Sequence, residues 1–189
     1  MKKESKLKKK TGFTLAETLL AVLIMLMVSS IVAAGIPAAK NAYEKVVLAS
    51  NAEVLMSTAV SALRNELGTA KDISLADNQT GLVPGTTITY FNAERRAMSR
   101  LYVQDNNIML LRYYFDGNEF TMDTGVVPGP ERLIPEKTAT GDLQVKYDSV
   151  VYDPAKGTIT FSGFKVMRGS TVLVQRGTEG KLTIRTISE

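Results

Sequence analysis

Between Thr18 and Ala39 the sequence carries no charged side chain. An α-helix rising about 1.5 Å per residue needs roughly 20 apolar residues to cross the hydrocarbon core of a bilayer. A helix is also the one single segment that satisfies its own backbone groups in lipid. Ahead of this stretch Lys2, Lys3, Lys6, Lys8, Lys9 and Lys10 face a single acid, Glu4. Positive charge beside a span stays in the cytoplasm. The sequence therefore predicts a cytoplasmic N-terminus, a spanning helix, and the bulk of the chain on the far side of the membrane.

One acid interrupts the start of the apolar run. Glu17 lies five residues after Gly12, within GFTLAETLLAVLIMLMVSSIVAAGIPAA. A carboxylate inside a bilayer costs at least about 2.5–3.5 kcal/mol, and such residues usually have a partner and a function. No Lys or Arg lies between Gly12 and Lys40, so an ion pair within the segment is not available. The missing partner leaves room for one on another molecule. Cleavage before Phe13 would place a new α-amino group of a neighbouring subunit at the right depth.

The run Gly12-Phe13-Thr14-Leu15-Ala16-Glu17, a short basic leader before it and an uninterrupted apolar helix after it resemble the processing site of type IV pilin precursors and pseudopilins. The resemblance covers about the first 55 residues. It implies cleavage after Gly12 by a membrane-embedded prepilin peptidase, N-methylation of Phe13, and use of Glu17 in filament assembly. The partners it implies are that peptidase, an assembly platform protein, the membrane, and further copies of this chain or other pilins. Before assembly the chain would sit in the cell membrane with its head outside; afterwards it would belong to an extracellular or cell-surface filament. The sequence departs from the family at Thr18, where an apolar residue is commoner, and at Pro37, which falls later than the proline many pilins carry.

Two plainer readings compete. A secretory signal peptide has an apolar region of about 7–15 residues followed by a small-residue cleavage site, and Val32-Ala33-Ala34 would serve, but Glu17 would then have no explanation. A signal anchor with an accidental acid is the other. A tethered or secreted binding module that never polymerises is the functional alternative to a filament subunit.

Composition narrows the rest. The chain has 189 residues and a net charge of +4, yet without residues 1–12 it holds 17 basic and 18 acidic side chains. General electrostatic binding to nucleic acid is therefore not supported. Cys and His are both absent. The part outside the membrane must be held by packing without disulfides, and the commonest general base, the thiol nucleophile and most zinc sites are excluded. Nothing points to catalysis, to a cofactor or to a bound metal; the expectation is a structural protein, not an enzyme.

Along the chain the expected organisation is a cleaved basic leader (1–12), a hydrophobic transmembrane and assembly helix (13–39), an amphipathic helix (40–67) and a β-rich head (68–189). Gly35 and Pro37 predict a kink or local unwinding. Lys40 and Glu44 can pair across one turn. Val47, Val54, Leu55, Ala59, Leu63 and Leu67 recur at helical spacing, with Asn51, Glu53, Ser57, Ser61, Arg64 and Glu66 filling the opposite side. Gly68 is the stop. A helix from Phe13 to Leu67 would reach on the order of 80 Å.

Residues 69–85 read as a connecting loop. Strands are expected at 86–91, 98–103, 108–115, 119–122, 143–147, 150–152, 158–161, 164–168, 171–175 and 181–187, with turns at 104–107, 153–157 and Gly169-Ser170. Pro128, Pro130 and Pro135 mark an irregular loop between them. With no helical crossover visible after Leu67, the strands should pair antiparallel. The predicted class is α+β: one long N-terminal helix laid on a mostly antiparallel sheet.

Three minor groups were candidates for chemistry. Asp105, Asp116, Glu119 and Asp123, with Asn106, Asn107 and Asn118, supply the oxygen ligands that suit calcium, but without EF-hand spacing they read as turn residues. Arg95, Arg96 and Arg100 read as a solvated basic face or a contact for acidic groups on a neighbour. Tyr113, Tyr114 and Phe115 read as strand core and edge.

Overall fold

The computed structural model describes residues 14–75, 84–115, 120–121, 130–136, 142–177 and 179–186, the side chains of 114, 115, 120 and 121 excepted. Among these described residues helix α1 runs Leu15–Leu67, followed by twelve strands: β1 (Ala70–Leu75), β2 (Ile88–Asn92), β3 (Ala97–Gln104), β4 (Asn107–Phe115), β5 (Phe120–Thr121), β6 (Glu131–Arg132), β7 (Leu143–Lys146), β8 (Ser149–Asp153), β9 (Thr158–Ser162), β10 (Lys165–Arg168), β11 (Thr171–Gln175) and β12 (Leu182–Arg185). The class is α+β. The chain separates into two compact units, 1–46 and 47–189.

In the first unit, α1 is apolar enough and long enough to cross a membrane by length and composition, with a mean hydropathy of 2.7 over its most apolar window. Its large apolar side chains are exposed, from Leu15 through Met25 to Ile36. Two of the polar residues within the run bond to the helix backbone. The Thr18 hydroxyl donates to the Leu15 carbonyl at 2.8 Å and Ser30 to Met27 at 2.8 Å, so neither needs an outside partner in lipid. The unwinding expected at Pro37 is absent: helix continues through it. Lys40 and Glu44 approach to 3.7 Å, both exposed.

In the second unit, Ala52, Leu55, Met56, Ala59, Val60, Leu63 and Leu67 are buried. They form one core with residues of all three sheets, among them Ile88, Tyr90, Leu101, Leu110, Val145, Phe161, Phe164 and Ile184. The buried stripe lies one position away from part of the expected one, since Val54 is 61% exposed and Ala52 and Met56 take the inward places. The helix ends at Leu67, and the Gly68 amide donates to the Arg64 carbonyl at 2.8 Å. A Cβ on Gly68 would meet that same carbonyl oxygen at 2.8 Å, which is why the stop is a glycine.

Every strand pair is antiparallel, but the strands form three sheets instead of one. The largest runs β1-β2-β3-β4-β5 with β6 also on β4; the others are β11-β10-β7 and β12-β9-β8. Gly163, at φ 68°, bends the chain between β9 and β10 and so passes it from one small sheet to the other. The stretch expected to be loop contains β1, which pairs with β2 through an irregular register at 71–74. Its burial does not alternate, so the period-2 signal that marks a strand was missing.

The hairpin turns follow local chemistry. Gln104 pairs with Asn107 across two residues, and both of those, Asp105 and Asn106, have positive φ (50° and 59°), as a type I′ turn requires. Arg168 pairs with Thr171 around Gly169, φ 58°, the position a type II′ turn reserves for glycine. At the third turn the Asp153 carboxylate accepts from the Ala155 and Lys156 amides. The Lys156 side chain and these amides hold its pKa below the usual carboxylate value.

Candidate functional site

The site predicted from sequence centres on Glu17. Gly12 and Phe13 lie outside the described residues, so the geometry begins at Thr14. Thr14 is the last non-helical residue before α1 and Glu17 is the third residue inside it. The Thr14 amide donates to Glu17 Oε2 at 2.8 Å, the Thr14 hydroxyl donates to the same oxygen at 3.1 Å, and the Glu17 amide is 3.4 Å from Thr14 Oγ1. This is a reciprocal capping box, in which two otherwise orphaned amides at the helix start find side-chain oxygens. The carboxylate also lies at the positive end of the helix dipole.

The lone acid thus has a partner in its own chain. With no Lys or Arg in the segment, the sequence leaves a partner on another molecule as one source of compensation for Glu17. Hydrogen bonding to Thr14 meets part of that need without any second molecule. The signal is present in the sequence as Thr-x-x-Glu before an apolar run, overlapping the residues that resemble a processing site.

A second polar constellation was not foreseen at all. Glu66 was assigned to the outer face of the helix, yet its side chain is 5% exposed. Oε1 accepts from the Tyr90 hydroxyl at 3.2 Å and from Asn92 Nδ2 at 3.3 Å. Oε2 lies 3.2 Å from Arg112 Nη2 and 3.6 Å from Arg95 Nε. Asn92 Nδ2 also donates to the Glu66 carbonyl at 3.1 Å, and its Oδ1 accepts from the Arg95 amide at 3.0 Å. Arg112 reaches on to Glu131. The cluster joins the C-terminal turn of α1 to β2, β4 and β6. Burial, then the Glu66 charge, push the Tyr90 phenol well above its usual value.

The remaining candidates separate. Arg95, half-exposed, faces Glu66, Arg100 lies over the Tyr113 ring at 5.8 Å, and Arg96 is exposed, so two of the three arginines have intrachain contacts. Asp105 and Asn106 occupy the β3–β4 turn, where Asn106 accepts from Lys146 at 3.1 Å. Asp116, Asn118, Glu119 and Asp123 lie outside the described residues. Among the described residues no group of three or more Asp or Glu is placed to hold a metal. A shallow depression lined by Leu55, Ile108, Ile134, Leu143 and Val145, with Asn107 and Arg132 also on its wall, contains no carboxylate or nucleophile.

Comparison of the chain with protein-family models, with curated proteins and with solved structures finds no match.

Proposed function

We propose that this chain is a structural subunit of a type IV pilin-like filament, inserted in the membrane through the first half of α1, processed after Gly12 and assembled through the same helix. The observation that carries the reading is a single acid, Glu17, fixed in the first turn of α1 ahead of a stretch, 18–39, that carries no charge and is exposed along its whole length. Exposed apolar area on this scale needs lipid or other helices to cover it. A filament core supplies helices, and transfer from bilayer to core keeps the apolar surface out of water throughout. An α+β head with antiparallel strands and a helix contributing to its core is compatible with this.

Glu17 would then meet the freed amino group at Phe13 of a neighbour. A charge buried between helices is tolerable only when paired, so the pair would discriminate docked from undocked subunits. The role is non-catalytic, with no cofactor.

The capping box favours one competing reading. Since Thr14 already satisfies part of Glu17, a plain membrane anchor carrying a non-polymerising head no longer leaves the acid unexplained. Glu17→Leu separates the two. The filament reading predicts normal insertion and cleavage with filament yield strongly reduced; normal yield would count against it, and pelletable filaments absent from the wild type would favour the anchor.

A further inference from the structure

The apolar run of α1 ends in a narrow polar band. Residues 18–39 are 22 positions without a charge, about 33 Å of helix at 1.5 Å per residue, against a hydrocarbon core of roughly 30 Å. The first charge after them is Lys40, followed by Tyr43, Glu44 and Lys45. Helix continues through Pro37, so Lys40 to Lys45 occupies about 8 Å along the axis. The polar headgroup layer on one side of a bilayer is about 5–8 Å deep. A span that fills the hydrocarbon therefore sets this band in the headgroups.

The side chains suit that depth. Tyr43 is 71% exposed. A phenol has an apolar body and a polar tip, which is why tyrosine collects where hydrocarbon meets water. Lys40 and Glu44 are 3.7 Å apart with side chains 72% and 62% exposed. So loose a surface pair contributes little, and the Lys40 ammonium keeps donors for other oxygens. Lys45 is exposed, and no salt bridge among the described residues reaches it. Two lysines against one acid leave the band positive, complementary to lipid phosphate. Lysine stems can lie along the apolar surface while their heads reach outward.

We propose that Tyr43, Lys40 and Lys45 form a seat for phospholipid headgroups: the ring lies at the boundary between acyl chains and headgroups, and the two ammonium groups take phosphate oxygens. The seat fixes how far α1 sinks into the bilayer. It rests on the membrane-inserted reading of residues 18–39 and is independent of filament assembly.

The chain contains no Trp, so one substitution adds one reporter. The full chain carrying Tyr43→Trp is reconstituted at low density in phosphatidylcholine vesicles, with and without phosphatidylglycerol. Quenching is read with lipids brominated either near the headgroup or near the chain ends. Ile31→Trp, well inside the run and also 71% exposed, is the companion reporter. Tyr43→Trp should be quenched about two- to fourfold more by the shallow bromines, and Ile31→Trp in the reverse order. Phosphatidylglycerol should shield the Tyr43→Trp indole from aqueous acrylamide by about twofold. Adding Lys40→Gln and Lys45→Gln should abolish that response. Quenching of Ile31→Trp without any of Tyr43→Trp would overturn the seat, as would stronger quenching of Tyr43→Trp by the deep bromines. A phosphatidylglycerol response that survives loss of both lysines would overturn the phosphate contact. Emission of Tyr43→Trp that changes with subunit density would show a second copy, not lipid, covering this position, and would overturn the seat as well. If neither reporter is quenched, the membrane-inserted reading fails and the seat fails with it.

Discussion

The Arg112 guanidinium lies 3.2 Å from the Glu66 carboxylate, with the two side chains 16% and 5% exposed. Glu66 sits in the last turn of α1, where the helix dipole disfavours an acid, and Arg112 projects from the middle of β4. The pair, with Tyr90 and Asn92, fixes the end of the helix to the largest sheet. Removing one member of a buried pair strands the other, at a cost of about 3–5 kcal/mol. Glu66→Ala should therefore lower the stability of the head by roughly this amount, read by denaturant titration of the full chain in micelles. A loss under about 1 kcal/mol would mean that water reaches the cluster.

A second consequence concerns packing. Leu63 is fully buried at the centre of the helical stripe. Leu63→Ala should cost about 2–5 kcal/mol, whereas Val54→Ala, on the exposed side, should change stability by less than about 0.5 kcal/mol. Equal effects from the two would contradict the assigned helix face.

Alkaline pH should test the buried phenols. Burial pushes Tyr147 far above its usual range, and its hydroxyl donates to the Thr86 carbonyl at 2.7 Å. Tyr90 is raised as well. A group whose folded pKa exceeds its unfolded value contributes stability that is complete below the unfolded pKa and lost as pH rises toward the folded one. The head should keep its stability up to about pH 10, the unfolded tyrosine value, and lose it steadily above. Tyr147→Phe should be less stable at neutral pH by about 1 kcal/mol and lose less on going alkaline. Parallel pH profiles for variant and wild type would contradict this.

The β3–β4 turn gives a backbone test. Asn106 holds φ 59°, which β-branched residues tolerate poorly; a left-handed conformation costs them about 1–2 kcal/mol. Asn106→Val should destabilise by that much and Asn106→Gly by a few tenths at most, measured by thermal unfolding. The exposed bond to Lys146 should contribute little.

How far the sequence revealed this architecture differs from element to element. The hairpins around 105–106 and 169–170 were readable because turn residues and flanking strands agree. The strand at 70–75 was hidden: AKDISL is an edge with an irregular register, and its pattern comes from one neighbour, not from its own alternation. Glu66 was misplaced because a periodicity argument sorts residues by polarity, while its burial depends on Arg112, forty-six positions away. The three-sheet division follows from strand partners distant in sequence, which no local signal reports. At the N-terminus the motif was plain and its local geometry was the part overlooked, since Thr14 matters through hydrogen bonds that composition and hydropathy do not register.

The central claim is that the chain is processed at Gly12 and works through the helix so exposed. Intact mass and N-terminal sequence of the protein from its native membrane test it most directly. A chain beginning at Phe13 with one added methyl group is the predicted result. A chain beginning at Met1 in cells with an active prepilin peptidase, or beginning near Gly35, would contradict it; in the second case Glu17 and its cap would be absent from the mature protein.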